Sequence, residues 1–324
     1  MEWRKCSLTN QWYLVGAKEI EVDNIKFDKC PFCPGGEYIS NTHIIDRLAE
    51  GNEQVLSIPN PKASLRVDDK IRRDGVGFFD LMNNIGADEI IIETIDEHKS
   101  FGQFSENHIL LIFRMFARRI ADLKNDVRFR QILVFRNQDE YCGKPFQHPF
   151  SRIIAFPMVP KTIDNELIES RKHYQRKDRC LMCDIIMDEL RNGERIVMEN
   201  DSFVAYCPYA SRFPYEVWVA PKFHGSDYEK IDNSGNLRLL AKLMNKLLPK
   251  IEKITPAYFM ALHTSPNEKS AAFKNHQWES LKEDYHWHIE IAPKYLFAGY
   301  LERHAGYIAN PILPEKAAEQ LRSA

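Results

Sequence analysis

Tyr285-His286-Trp287-His288-Ile289-Glu290-Ile291-Ala292-Pro293 alternates polar and apolar side chains in the manner of a short strand. A period of two puts His286, His288 and Glu290 on one face and Trp287, Ile289 and Ile291 on the other. Two imidazoles and a carboxylate on one strand face suit a metal, a nucleophile or both. The plain alternative is a half-buried strand whose polar face is wet. Upstream lie Cys180-Leu181-Met182-Cys183 and Pro221-Lys222-Phe223-His224. Together they complete a set of four donors, Cys180, Cys183, His224 and His286, of the kind zinc takes.

The same succession occurs earlier in the chain. Cys30-Pro31-Phe32-Cys33 is followed by Glu97-His98 and then by His148-Pro149-Phe150. Its donor set would be Cys30, Cys33, His98 and His148. The chain therefore reads as a tandem duplication, residues 1–172 and 173–324, with unequal insertions carried by loops. Four filled donor positions leave none open, so two zinc ions per chain would be structural. His288 occupies in the second repeat the place of Phe150 in the first. It is the candidate catalytic nucleophile, with Glu290 able to orient it, ligate a metal or face solvent.

Seven cysteines in 324 residues, four of them in CxxC pairs, argue for metal sites in a reducing compartment over a disulfide framework. Pro31 and Pro34-Gly35-Gly36 suit a metal-holding turn better than a redox helix start. Hydrophobic residues make up 44%, enough for a core, and the net charge of -2 gives no basic field for nucleic acid. No apolar run is long enough to span a membrane, and the first residues lead into no secretory segment, so a cytoplasmic protein is expected.

Strands are expected within residues 7–15, 53–58, 88–94, 129–135, 152–156, 203–206, 216–220, 258–262 and 286–291. Helices are expected over 105–125 with Ser105 as N-cap, over 180–190, over 234–248 ending before Pro249, and from Pro314 to Leu321. A charged helical connection over 165–174 joins the halves. Trp278, beside His276, would suit an aromatic wall for a sugar or base, though packing is the commoner use of tryptophan.

The chain resembles the galactose-1-phosphate uridylyltransferase family and its nucleotide-sugar phosphorylase relatives, tandem members of the histidine-triad superfold. The resemblance runs over nearly the whole length. It includes Cys30-Pro31-Phe32-Cys33-Pro34-Gly35, Pro59-Asn60, Phe135-Arg136-Asn137, His148-Pro149, Leu262-His263-Thr264-Ser265-Pro266 and His286-Trp287-His288. It implies an α+β fold of two histidine-triad-like halves, each an antiparallel sheet with flanking helices, and a homodimer. It also implies ping-pong nucleotidyl transfer in nucleotide-sugar or galactose metabolism. For the second metal site it offers two sets: the cysteine set above, or Glu166, His263, His286 and His288. The presence of both cysteines favours the first.

In the family the nucleophile is the second histidine of a His-Pro-His triplet, followed by a phosphate-binding glutamine. Here those positions are Phe150 and Arg152, and the preceding loop reads Gly143-Lys144-Pro145-Phe146-Gln147. Asn60, Asn137, Lys144, Arg152 and Lys222 are the substrate-binding candidates, with Arg212 and Arg303 also considered near phosphate. The expected protein is a divergent nucleotidyltransferase-like one, acting on a nucleotide sugar or sugar phosphate by nucleotidyl transfer or phosphorolysis. The alternatives are a noncatalytic, zinc-stabilised protein that binds such a ligand, and a transferase or lyase acting on another phosphorylated small molecule.

Overall fold

The structure, a computed structural model, describes residues 1–16, 30–138, 148–270, 278–294 and 308–324. In the first half the strands are β1 (Glu2–Cys6), β2 (Gln11–Val15), β3 (Asp46–Glu50), β4 (Glu53–Pro59), β5 (Arg73–Val76), β6 (Phe79–Asn83), β7 (Ala87–Ile92), β8 (Gln131–Gln138) and β9 (Phe150–Phe156). The second half supplies β10 (Ile196–Glu199), β11 (Phe203–Tyr206), β12 (Val217–Pro221), β13 (Tyr258–His263) and β14 (His288–Pro293). The helices are α1 (Glu37–Asn41), α2 (Glu106–Leu123), α3 (Lys161–Lys177), α4 (Leu181–Asn192), α5 (Asn236–Ile254), α6 (Leu281–Asp284) and α7 (Pro314–Ser323).

Ten strands form one antiparallel sheet in the order β10-β11-β12-β14-β13-β8-β9-β7-β4-β3. From the two edges inward, β3-β4-β7-β9-β8 corresponds strand for strand to β10-β11-β12-β14-β13. The halves meet where β8 pairs with β13, Val134 opposite Leu262 and Gln138 opposite Tyr258. Helix α2, between β7 and β8, matches α5, between β12 and β13. The duplication is thus a continuous α+β structure in which both repeats share one sheet. The division expected at residue 172 falls inside the uninterrupted helix α3.

Both long helices cover one face of the sheet. Ile109, Phe113 and Phe116 of α2 and Leu240, Met244 and Leu247 of α5 are fully buried there, against Ile153, Val134, Leu262, Ile289 and Ile291. This is the Trp287–Ile289–Ile291 face that alternation assigned to the interior. Ser105 caps α2 as expected, its hydroxyl accepting from the His108 amide at 3.0 Å.

Pro249 does not end α5, which continues to Ile254. Proline forfeits one backbone hydrogen bond, but Leu247, Leu248 and Ile251 around it are completely buried, and their packing carries the helix through. The edge strands β3 and β10 and the short helices α1 and α6 have no counterpart among the expected elements. Nor has most of a second antiparallel sheet, β2-β1-β6-β5, in which only β2 was expected; that sheet rests on Trp3, Leu65, Met82, Ile85 and Met158. No helix among the described residues is long and apolar enough to cross a membrane.

Candidate functional site

The opposite face of the sheet carries the chemistry-bearing side chains. In the first half, the Cys30–Cys33 turn lies against the entry to β9. His148 Nδ1 is 3.3 Å from Cys30 Sγ and 3.7 Å from Cys33 Sγ, while its Nε2 lies 2.7 Å from the Thr94 carbonyl. A carbonyl only accepts, so Nε2 bears the proton and Nδ1 turns its lone pair toward the sulfurs. Burial pushes the Cys30 thiol up to about 12 and raises Cys33 as well, so a cation bound here would displace protons.

The fourth member of this group is Glu97 and not the expected His98. The His98 amide donates to Asp96 Oδ1 at 3.1 Å, and its imidazole is 79% exposed. One residue's difference in that turn directs the carboxylate inward and the imidazole outward. Spacing alone did not distinguish the two neighbours.

The second group assembles as the spacing anticipates, from Cys180, Cys183, His224 and His286. Cys183 Sγ lies 3.5 Å from Nδ1 of both histidines. Each histidine again gives Nε2 to a carbonyl, His224 to Lys282 at 2.6 Å and His286 to Pro221 at 3.1 Å. A hydrogen bond from Cys183, opposed by burial and joined by His224 and His286, pulls the Cys180 thiol well below the ordinary thiol range. The Cys183 proton is correspondingly held above it. Backbone-anchored imidazoles facing paired sulfurs are the arrangement that metal sites use to fix ligand orientation.

A third group was only partly foreseen. Glu166, His263, His288 and Glu290 each bring a donor atom within 4.8 Å of the others. His286 belongs to the cysteine group, so the set Glu166, His263, His286 and His288 does not form as such; Glu290 stands in it for His286. His263 Nδ1 is 3.0 Å from Glu166, whose other oxygen accepts from the Tyr285 hydroxyl at 3.1 Å. Glu290 accepts from Arg212 at 2.6 Å.

His288 is 2% exposed, with Nδ1 3.2 Å from the His286 carbonyl. Its Nε2 is buried without a hydrogen-bond partner, 3.7 Å from Glu290. Leaving that atom unsatisfied costs about 1–3 kcal/mol. Burial alone would lower the His288 pKa, but the carboxylates of Glu290 and Glu166 outweigh it and raise it. A proton or a metal ion therefore fits among these four side chains. Trp218 stacks on one face of the His288 ring, with the ring centroids 5.1 Å apart.

The equivalent strand start in the first half differs. Phe150 is 8% exposed, with its ring 5.4 Å from that of Phe32 and among Leu56, Ile58, Ile90 and Ile92. Arg152, two residues on, pairs with Asp88 at 2.6 Å and lies over the Phe135 ring at 5.4 Å. Asn60 donates to the same Asp88 carboxylate at 2.8 Å. Asn60, Asp88 and Arg152 thus form a linked polar row beside Phe150, with Asp88 the member that sequence reasoning missed. Asn137 lies on β8 at the seam, opposite Phe259. Lys222 pairs with Glu199, away from this row. Arg212 spans Glu216 and Glu290. Lys144, Arg303 and His276 lie outside the described residues.

Residues 78–159 match the N-terminal domain of the DUF4931 family, a domain of unknown function. Over 334 aligned positions the chain is 27% identical to a galactose-1-phosphate uridylyltransferase of Thermotoga maritima, covering 99% of this chain and 98% of that protein. It is 25% identical to an ADP-glucose phosphorylase of Arabidopsis thaliana, covering 99% of this chain and 92% of the relative. A solved uridylyltransferase superposes with a TM-score of 0.83 at 23% identity, over 100% of this chain and 98% of the other. The fold, the duplicated donor groups and the full-length likeness agree: the chain is a tandem histidine-triad-superfold protein, a divergent and distant relative of the galactose-1-phosphate uridylyltransferase and nucleotide-sugar phosphorylase family.

Proposed function

We propose that this protein transfers the nucleotidyl group of a nucleotide sugar directly to an acceptor phosphate, such as that of a sugar phosphate, without a covalent nucleotidyl-histidine. The likeness to a transferase and a phosphorylase over nearly the whole chain supports the substrate class. The observation that carries the direct route is Phe150, which fills the first-half position that His288 holds in the second. A phenyl ring has no lone pair with which to attack phosphorus. In direct transfer, an acceptor phosphate oxygen bonds to the α-phosphorus while the bond to the departing sugar-phosphate oxygen breaks. Arg152 would neutralise phosphate charge, held by Asp88, which Asn60 orients in turn. Phe150 would supply an apolar floor under the base or sugar.

Zinc at the two cysteine groups would pin the loops that border this face, with Cys30, Cys33, Glu97 and His148 holding one ion and Cys180, Cys183, His224 and His286 the other. A homodimer belongs to the same reading. The test combines phosphorus NMR with intact-mass analysis during incubation with UDP-glucose or ADP-glucose and an acceptor phosphate. Product without a mass adduct is expected. An adduct mapping to His288 would overturn the direct route and place the nucleophile in the second half. A second reading, ligand binding without turnover, is favoured by the loss of the nucleophile itself, and binding with no product under any acceptor would establish it.

A further inference from the structure

Between the small N-terminal sheet and the start of α3 lies a cavity of about 290 Å³, lined among others by Lys5, Trp12, Arg130, Lys161, Asp164 and Trp278. It lies toward the opposite end of β9 from Phe150. Phe150 opens β9, whereas Met158, another lining residue, follows the far end of that strand, roughly 20 Å or more away at the usual rise per residue.

Arg130 is the unusual member. Its backbone is held on both sides, the amide donating to Phe156 at 2.7 Å and the carbonyl accepting from Asn267 at 2.8 Å. The side chain is half-buried, and its guanidinium has no hydrogen-bond or ion-pair partner among the described residues. Burial, together with the like charge of Arg73, lowers its pKa from the ordinary arginine value. The nearby carboxylates are engaged elsewhere: Asp126 with Arg128, Asp164 with Lys161 at 3.1 Å, and Asp80 with Lys5 at 3.8 Å. A partly desolvated cation without a counterion is costly, and a bound anion would relieve that cost. The cavity also offers two indole side chains, and its size is that of a small-metabolite site. The first turn of α3, with no side-chain cap, adds amide donors on the same side.

We propose that this cavity binds a small phosphate monoester, its phosphate at Arg130 and Lys161 and its carbon skeleton against Trp12 and Trp278. The site is separate from the candidate transfer face. It would let a sugar phosphate or similar metabolite bind at a second position on the same chain.

Isothermal calorimetry and tryptophan fluorescence with inorganic phosphate and with glucose 1-phosphate test this on the full chain. Saturable binding of both is expected, tighter for the monoester. Arg130→Gln should weaken it about tenfold or more, as for loss of a charge-assisted hydrogen bond. Since the Arg130 side chain makes no ion pair, that variant should fold normally; Lys161→Ala, at a half-exposed position, provides an independent second test. Arg152→Gln, toward the other end of β9, should leave the Arg130-dependent component of this binding unchanged. Absence of binding by the unaltered protein, or Arg130→Gln binding as tightly as it does, overturns the proposal. Binding abolished by Arg152→Gln would assign the ligand to the transfer face instead. Equal affinity for both probes would remove the tryptophans from the site.

Discussion

Replacing Phe150 with histidine should give this protein a nucleophile. In the second half, where the equivalent residue is His288, Nδ1 lies 3.2 Å from the carbonyl two residues earlier and Nε2 is left free. An imidazole at position 150 would find the His148 carbonyl in the same relation, with Nε2 turned toward the face that carries Arg152. The substitution has a cost. Phe150 is 8% exposed within an apolar cluster. Exchanging that ring for a smaller, polar one should lower stability by about 1–3 kcal/mol. Denaturant unfolding would measure that loss, and intact-mass analysis after exposure to UDP-glucose or ADP-glucose would detect nucleotidylation. The variant should remain folded and acquire an acid-labile adduct of one nucleoside monophosphate, absent from the unaltered protein. A folded variant that binds the nucleotide sugar yet never becomes modified would refute the equivalence of positions 150 and 288 as an explanation of the chemistry.

Glu97→Ala should reduce metal retention at the first cysteine group, whereas His98→Ala should not; elemental analysis of the purified variants separates them. Cys183→Ser should release metal from the second group and lower the melting temperature, because binding energy at such sites is folding energy, on the order of 10 kcal/mol for a structural zinc; retention of metal and stability would contradict a structural site. Asp227 joins α2 to the second half through Lys124, 3.6 Å away, and accepts from Ser265. Burial alone would raise its pKa, but Lys124 and the other donors lower it. Its folded pKa is depressed, so its contribution is complete above the ordinary aspartate value and disappears as pH falls through the folded one. Asp227→Asn should therefore cost about 1–3 kcal/mol at neutral pH, with the difference narrowing in acid; a pH-independent gap in urea unfolding would refute the coupling.

Strong periodicity and paired cysteines were legible in the sequence. The 286–291 alternation put Trp287, Ile289 and Ile291 into the core, and CxxC spacing located both sulfur groups. The duplication itself was readable, but not that the two sheets fuse at β8 and β13, since edge pairing leaves no local sequence signature. β5, Arg73-Asp74-Gly75-Val76, carries no apolar alternation and is wholly exposed, so it gave no strand signal. Helix length at Pro249 was decided by burial that only the tertiary structure supplies. Choices between neighbours, such as Glu97 over His98, depend on the local turn and not on spacing. Glu290 was visible as a candidate, yet its grouping with Glu166 and His263 required the fold to bring α3, β13 and β14 together.

The stereochemical course at phosphorus tests the central claim most directly. A nucleotide sugar made chiral at its α-phosphorus with sulfur, turned over by the unaltered protein, should give product with inverted configuration, as one in-line displacement requires. Retention would mean two displacements and a covalent intermediate, and would contradict direct transfer.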